Sequence, residues 1–274
     1  MPTGLALSIP LIVFIFTIGI GSELTWNDFK LLFKEPKVVL IGVVGQIILL
    51  PLIGFGVAWM FRDNLVIALG IVLLAASPGG PMSNSLVYVA RARTELSITL
   101  TAISGVLALL TTPIIASLGI SIFAGDDANI SLPIPQTMAQ IFVLILVPLS
   151  IGMFLKSKWP DAIERAEKRI RQGCTVLMLL ALVVVVIVSW QTLISKFADF
   201  VVAGSIFVVA LLVISSLFGR LLGLDEPSRF TVMVEVSIQN IVVASMIAIT
   251  LLDKPEFALF SAVYAAPMAI IILV

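Results

Sequence analysis

Almost the whole chain is written as apolar runs joined by short polar connections. Nine such runs are present, at about 5–21, 38–60, 65–90, 96–123, 134–155, 173–195, 199–222, 228–250 and 256–274. A run of roughly 20 apolar residues matches the hydrocarbon thickness of a bilayer when it is helical. Lipid offers no partner to a backbone N–H or C=O, so spanning segments of this kind must fold as helices. An all-α polytopic membrane protein is therefore expected. The bulk numbers agree: 12% of residues are charged and the mean hydropathy is +1.21, whereas soluble domains carry about 25% charge.

The basic residues orient the spans. Lys30, Lys34, Lys37, Arg91, Arg93, Lys156, Lys158, Arg165, Lys168, Arg169, Arg171, Arg220 and Arg229 fall in one set of connections, against Arg62, Lys196 and Lys254 in the other. An excess of Lys and Arg marks the cytoplasmic side. With nine spans, this puts the N-terminus outside and the C-terminus in the cytoplasm of a cell inner membrane. The stretch 159–172, with acid and base alternating, reads as a short surface helix between two halves.

Several chemistries are excluded at once. The chain has no histidine and a single cysteine, Cys174. Ser-His and Cys-His catalysis, His-ligated metals and Cys-cluster metals are ruled out, and no nucleophile-elbow motif is present. An enzyme is not expected.

One charge stands where none should. Fifteen of the sixteen acidic residues lie in connections or at span ends, but Glu235 sits in the middle of 228–250 between Val234 and Val236. A lone carboxylate at that depth costs several kcal/mol, so it needs a proton, a cation or a buried partner. No Lys or Arg occupies the middle of any span, which leaves a protonated Glu235 or a bound mobile cation. The run Glu235-Val236-Ser237-Ile238-Gln239-Asn240 favours the cation. If the helix unwinds there, the carbonyls of Val236 and Ile238 join the side-chain oxygens of Glu235 and Gln239 in a hard, all-oxygen site, suited to alkali or alkaline-earth ions.

A second interruption lies in the span 65–90, at Ser77-Pro78-Gly79-Gly80-Pro81-Met82-Ser83-Asn84. Its prolines and glycines remove helical hydrogen bonds and loosen the backbone. Each break precedes a polar pair, Ser83-Asn84 or Gln239-Asn240, and each falls in the penultimate span of its half. Paired interrupted spans point to a transporter binding site at an inverted-repeat interface. Half-helix N-termini attract anions there, while carbonyl ends and Glu235 attract cations.

These residues resemble the bile acid:sodium symporter family. The likeness rests on Ser77-Pro78-Gly79-Gly80, Ser83-Asn84, Tyr88-Val89-Ala90-Arg91, Ser97, Thr101 and Glu235-Val236-x-x-Gln239-Asn240, with Phe33-Lys34-x-Pro36-Lys37-Val38-Val39 and Gln46 in support. The resemblance implies an inverted-repeat transporter with core and panel domains and two broken, crossing helices at 65–90 and 228–250. By that likeness the chain is the nine-span form, lacking the first helix. The first repeat would be 1–124 with four spans and the second 125–274 with five. The panel would hold 5–21, 134–155 and 173–195, and the core the other six spans.

The resemblance further implies two sodium ions as coupling ions. Ser83, Asn84, Ser97, Thr101 and Glu235 would form the first site. Gln46, Glu235, Gln239 and the carbonyls of Val236 and Ile238 would form the second. Pro81, Met82 and Asn240 would face the substrate. Two departures from the family pattern touch the substrate side: Pro81 stands where a hydroxyl or amide is common, and the last span, Ala262-Val263-Tyr264-Ala265-Ala266-Pro267-Met268, lacks the polar residues expected there. The expected activity is sodium-coupled symport of an organic anion, a bile acid or a smaller carboxylate, by a monomer working through alternating access. A proton-coupled carrier on the same fold and a non-transporting membrane sensor are the alternatives.

Overall fold

The computed structural model describes residues 11, 14–15, 17–22, 24–25, 29–124 and 134–273. The expected first span is thus described only in part. Residues 125–133, at the expected boundary between the repeats, lie outside the described residues.

The described residues are helical nearly throughout, with no strand longer than an isolated bridge. After a helical segment at 17–22 and a short helix Leu31–Lys34, helix α1 runs over Pro36–Met60. It contains a wide π turn at Gly45–Leu49, just before Pro51, whose missing N–H cannot serve the Ile47 carbonyl. Helix α2 is Leu65–Ala76 and α3 is Pro81–Val89. Helix α4, Thr94–Phe123, bends by 62° between Ala108 and Leu110. Pro113 lies four residues beyond Leu109 and leaves its carbonyl without a helical donor, which accounts for the bend. Helix α5 covers 134–158, α6 Pro160–Val188 and α7 Trp190–Leu221. Helices α8, Glu226–Ser237, and α9, Ile241–Met246, form the second broken span. Helix α10, Ala258–Leu273, ends the described chain.

Two boundaries differ from the hydropathy reading. The expected surface helix at 159–172 and the span after it are one helix, α6. With Pro160 at its start and no proline before Ser189, nothing in the backbone stops it. The turn that follows is at Ser189, so Lys196 lies inside α7 rather than in a connection. Its ammonium donates to Asn64 Oδ1 at 3.0 Å, across from the start of α2.

Helix α2 lies at the centre. Every residue from Ile67 to Ala76 is buried, as expected of a helix that is apolar on all sides. Around it pack α1, α4, α7 and α10. Phe207 of α7 meets Phe260 and Tyr264 of α10 with ring centroids at 6.3 and 5.6 Å. A separate small cluster, Leu24, Ala102, Leu149 and Met153, joins the 17–25 region and α5 to the face of α4. There the 17–22 segment and α5 approach so closely that a Cβ at Gly21 would stand 2.2 Å from Leu149 O, and one at Gly152 2.2 Å from Ile18 O.

The two broken spans cross at their interruptions. Gly79 and Gln239 form an antiparallel bridge. The Gly80 N–H donates to Ile238 O at 3.1 Å, and the Asn240 N–H to Pro78 O at 2.9 Å. The first break has a local cause: Pro78 disfavours helical geometry at Ser77, which is extended, and Pro81 opens α3 at its first turn. No proline or glycine stands at 238–240. Here the side chains replace backbone donors. Gln239 Nε2 serves the carbonyls of Glu235 and Val236 at 3.1 and 2.8 Å, and Asn240 Oδ1 caps α9 by accepting from the Val243 N–H at 3.1 Å. The helix persists through Ser237, so unwinding starts later than the polar run from Glu235 suggested.

Candidate cation site at the helix crossing

Helices α3, α4, α8 and the π turn of α1 bring six oxygen- or nitrogen-bearing side chains around one carboxylate. Glu235, Ser83 and Ser97 have no exposed surface, and Thr101, Gln46 and Gln239 are buried. Ser83 and Ser97 donate to Glu235 Oε1, and Thr101 Oγ1 donates to Oε2 at 3.1 Å. Gln46 Nε2 reaches the same Oε2 at 3.2 Å. Asn84 Oδ1 lies 2.7 Å from Ser97 Oγ and 3.3 Å from Thr101 Oγ1. The residues expected for the first site therefore meet in one place.

The proton count of this cluster is revealing. Each of the three hydroxyls stands within hydrogen-bond distance of two acceptor oxygens, drawn from Gly80 O, Asn84 Oδ1 and the Glu235 carboxylate. A hydroxyl carries one hydrogen. With the Asn84 amide as it stands, three hydrogens face six oxygen–oxygen contacts; turned by half a rotation, its Nδ2 donates to Ser97 and Thr101 and completes their contacts. In the first orientation a cation binds several of these oxygens together, and in the second the hydroxyls satisfy the carboxylate by themselves.

The residues expected for the second site adjoin the first. Gln46 Nε2 and Gln239 Nε2 both lie near Glu235 O, at 3.4 and 3.1 Å, and Gln239 also serves Val236 O. The amide oxygens of Gln46 and Gln239 are buried without a hydrogen-bond partner. Buried acceptors of this kind are rare and each calls for a reason. Turning either amide by half a rotation exchanges donor for acceptor and aims its oxygen at the carbonyls, which composes an all-oxygen site. The Ile238 carbonyl is part of the crossing itself, because it takes the Gly80 N–H. The carbonyl of Val236 has lost its helical donor, the Asn240 N–H, to Pro78.

The expected substrate residues divide. Met82 is 49% exposed at the start of α3. Pro81 is the first residue of that helix. Asn240 is buried and its Oδ1 is engaged in capping α9.

Three residues that the sequence reading passed over hold the crossing. Ser104 Oγ accepts the Gly79 N–H at 3.2 Å. Thr112 donates to the freed Ala76 carbonyl at 2.6 Å, and Tyr264 to the freed Ser237 carbonyl at 2.9 Å. The last span thus contributes a polar group after all, through Tyr264. A signal for two of them existed: Ser97, Thr101, Ser104 and Thr112 recur on one face of α4 at helical spacing.

Comparison with known proteins identifies the family. The model of the sodium bile acid symporter family matches residues 9–197. An uncharacterized sodium-dependent transporter of Bacillus subtilis is 29% identical over 236 residues, which cover 82% of this chain and 68% of that one. The human hepatic sodium/bile acid cotransporter is 29% identical over 256 residues, 90% of this chain and 71% of its own. A probable chloroplastic sodium/metabolite cotransporter of Arabidopsis thaliana is 28% identical over 253 residues, and the match spans 90% of this chain but only 60% of that protein.

Proposed function

Since the chain belongs to the sodium bile acid symporter family, we propose that it is a sodium-coupled symporter of an organic anion. The family is one of transporters, not enzymes. The observation that carries the reading for this chain is a fully buried Glu235 carboxylate whose partners Ser83, Ser97, Thr101 and Gln46 are all uncharged. Two unpartnered amide oxygens, of Gln46 and Gln239, lie beside it.

In this reading Ser83, Asn84, Ser97, Thr101 and Glu235 hold one sodium ion. Gln46, Gln239, Glu235 and the carbonyls of Val236 and Ile238 hold the other. Sodium is a substrate here, carried with the anion. Its ligands come from both broken spans and from the two helices beside them, so binding fixes the crossing. Glu235 is then one negative charge between two positive ones, and the remaining charge attracts an anion. The anion sits on the open side of the crossing, near Met82, Pro81 and the start of α9 at Asn240. A bile acid or a smaller carboxylate meets this description.

Alternating access follows from a panel of the spans 5–21, 134–155 and 173–195 and a core of the remaining six, in repeats 1–124 and 125–274. The core carries the site past the panel. The bias of basic charge supports an N-terminus outside and a C-terminus in the cytoplasm of the inner membrane, with a monomer as the working unit. With two sodium ions and a monovalent anion, one net charge enters per cycle, to which the membrane potential contributes about 2.3 kcal/mol per 100 mV.

The test is uptake of candidate organic anions into proteoliposomes under an imposed sodium gradient. Uptake that requires sodium, and is abolished by Glu235→Ala in folded protein, supports the proposal. Uptake driven by a pH gradient without sodium favours a proton-coupled carrier. Binding of the anion without flux favours a sensor.

A further inference from the structure

The residues of the proposed cation sites hang on four helices: Gln46 on α1, Ser83 and Asn84 on α3, Ser97 and Thr101 on α4, and Glu235 and Val236 on α8, with Ile238 and Gln239 in the break that follows it. At the end of these helices away from the crossing, one residue ties them together through its side chain and its main-chain N–H. The guanidinium of Arg93 grips both carboxylate oxygens of Glu35, at 2.7 and 2.6 Å. Glu35 immediately precedes Pro36, the first residue of α1. The same Nη1 donates to Ser228 Oγ in the first turn of α8 at 3.1 Å, and the Arg93 N–H donates to Thr231 Oγ1 at 3.1 Å.

Arg93 also begins α4, since its carbonyl accepts the Ser97 N–H at 3.1 Å. It follows α3 by a tight turn in which Arg91 takes a left-handed conformation, with φ of 53°. One residue thus touches α1, α4 and α8 and is joined by a short link to α3. Among the described residues Arg93–Glu35 is the one ion pair.

The register makes this more than a generic surface contact. The main-chain N–H of Arg93 meets Thr231 Oγ1 beside the guanidinium's own bond to Ser228, and one helical turn further along each chain Ser97 meets Glu235. Residues four apart lie on the same helix face. Helices α4 and α8 are therefore zipped by two successive rungs, and the second rung is the first cation site. A change in helix spacing at the Arg93 rung is transmitted over about 5.4 Å, a single turn. Arginine suits the task, since its planar fork binds a carboxylate with two parallel bonds in a fixed orientation.

We propose that Arg93, locked by Glu35, is a positioning residue for sodium binding. It touches no ion and sets the spacing of the helices whose side chains do. The inference rests on the reading of the Glu235 cluster as a sodium site.

The test is a sodium titration of thermal stability in detergent, at constant ionic strength with choline, for the wild type, Arg93→Lys, Glu35→Gln and the exchanged pair Glu35→Arg with Arg93→Glu. Glu35→Gln leaves the bonds from Arg93 to Ser228 and Thr231 in place, so it preserves the fold. The wild type responds to sodium. Arg93→Lys and Glu35→Gln raise the half-saturating sodium concentration by about tenfold, and the exchanged pair recovers part of the loss. A lower melting point in choline with an unchanged sodium half-saturation makes the ion pair merely structural and overturns the inference, while leaving the sodium site intact. A wild type that does not respond to sodium overturns both.

Discussion

The two glycines of the first break invite opposite experiments. A Cβ on Gly80 would stand 2.9 Å from Gln239 O, 3.1 Å from its carbonyl carbon and 3.4 Å from Asn240 N. All three are backbone atoms of the opposing span, fixed by the hydrogen bonds that flank them, and none can rotate aside. Gly80→Ala must push the two spans apart. Overpacking costs about 1–3 kcal/mol, and weakening the two bridging bonds adds about 1 kcal/mol, so a loss of about 2–4 kcal/mol in stability is expected.

A Cβ on Gly79 meets side chains instead: Gln46 Nε2 at 2.9 Å, Glu235 Oε2 at 3.1 Å and Ser104 Oγ at 3.4 Å. These can shift, but they are the proposed cation ligands and their neighbour. Gly79→Ala is therefore expected to fold with a smaller loss of stability and to lose most of its response to sodium. The assay is thermal unfolding of the purified proteins in choline and then in sodium. If Gly80→Ala melts with the wild type, or if Gly79→Ala keeps the full sodium response, the crossing is not packed in this way and the argument fails.

Other consequences follow from single contacts. Tyr264→Phe removes the donor to the buried Ser237 carbonyl and is expected to cost about 1–3 kcal/mol, read as a lower unfolding midpoint in chemical denaturation. Gly152→Ala puts a methyl group 2.2 Å from Ile18 O, so the 17–22 segment and α5 must separate. A loss of about 1–3 kcal/mol is expected, and an unchanged midpoint would argue against that close packing. The Glu35 carboxyl is held below its ordinary value near 4.5, first by the hydrogen bond from Arg93, against the opposing effect of burial. Because the folded value is the lower one, the pair contributes fully above the ordinary range and is lost as pH falls through the depressed value. Stability profiles of the wild type and Glu35→Gln are thus expected to differ at neutral pH and to converge in acid.

Much of this was legible in the sequence for reasons that can be named. Lipid makes apolar runs helical, so the expectation of helices over 38–60, 65–90 and 228–250 needed no tertiary knowledge. Glu235 was conspicuous because a charge at that depth requires a partner, and Pro78, Gly79, Gly80 and Pro81 break a helix locally. The second break was harder to place. Its cause is not a breaker but Gln239 and Asn240 replacing backbone donors, which is why the helix holds through Ser237. Hydropathy also misplaced the turn at Ser189 and divided α6, because charged residues read as a connection even when nothing in the backbone ends the helix. The contacts of Tyr264 and Arg93 escaped notice for a common reason. Each acts on a carbonyl or carboxylate distant in sequence, Ser237 and Glu35, and no local pattern announces such a pairing.

The central claim is that the cluster around Glu235 binds sodium. The most direct measurement is the thermal stability of the purified protein titrated with sodium against potassium and choline, for the wild type and for Glu235→Gln. A ligand that binds only the folded protein raises its stability as its concentration passes the dissociation constant. The account predicts a sodium-specific rise in the wild type that is absent in Glu235→Gln. An equal response to all three cations, or a sodium-specific rise that survives in the variant, would contradict it.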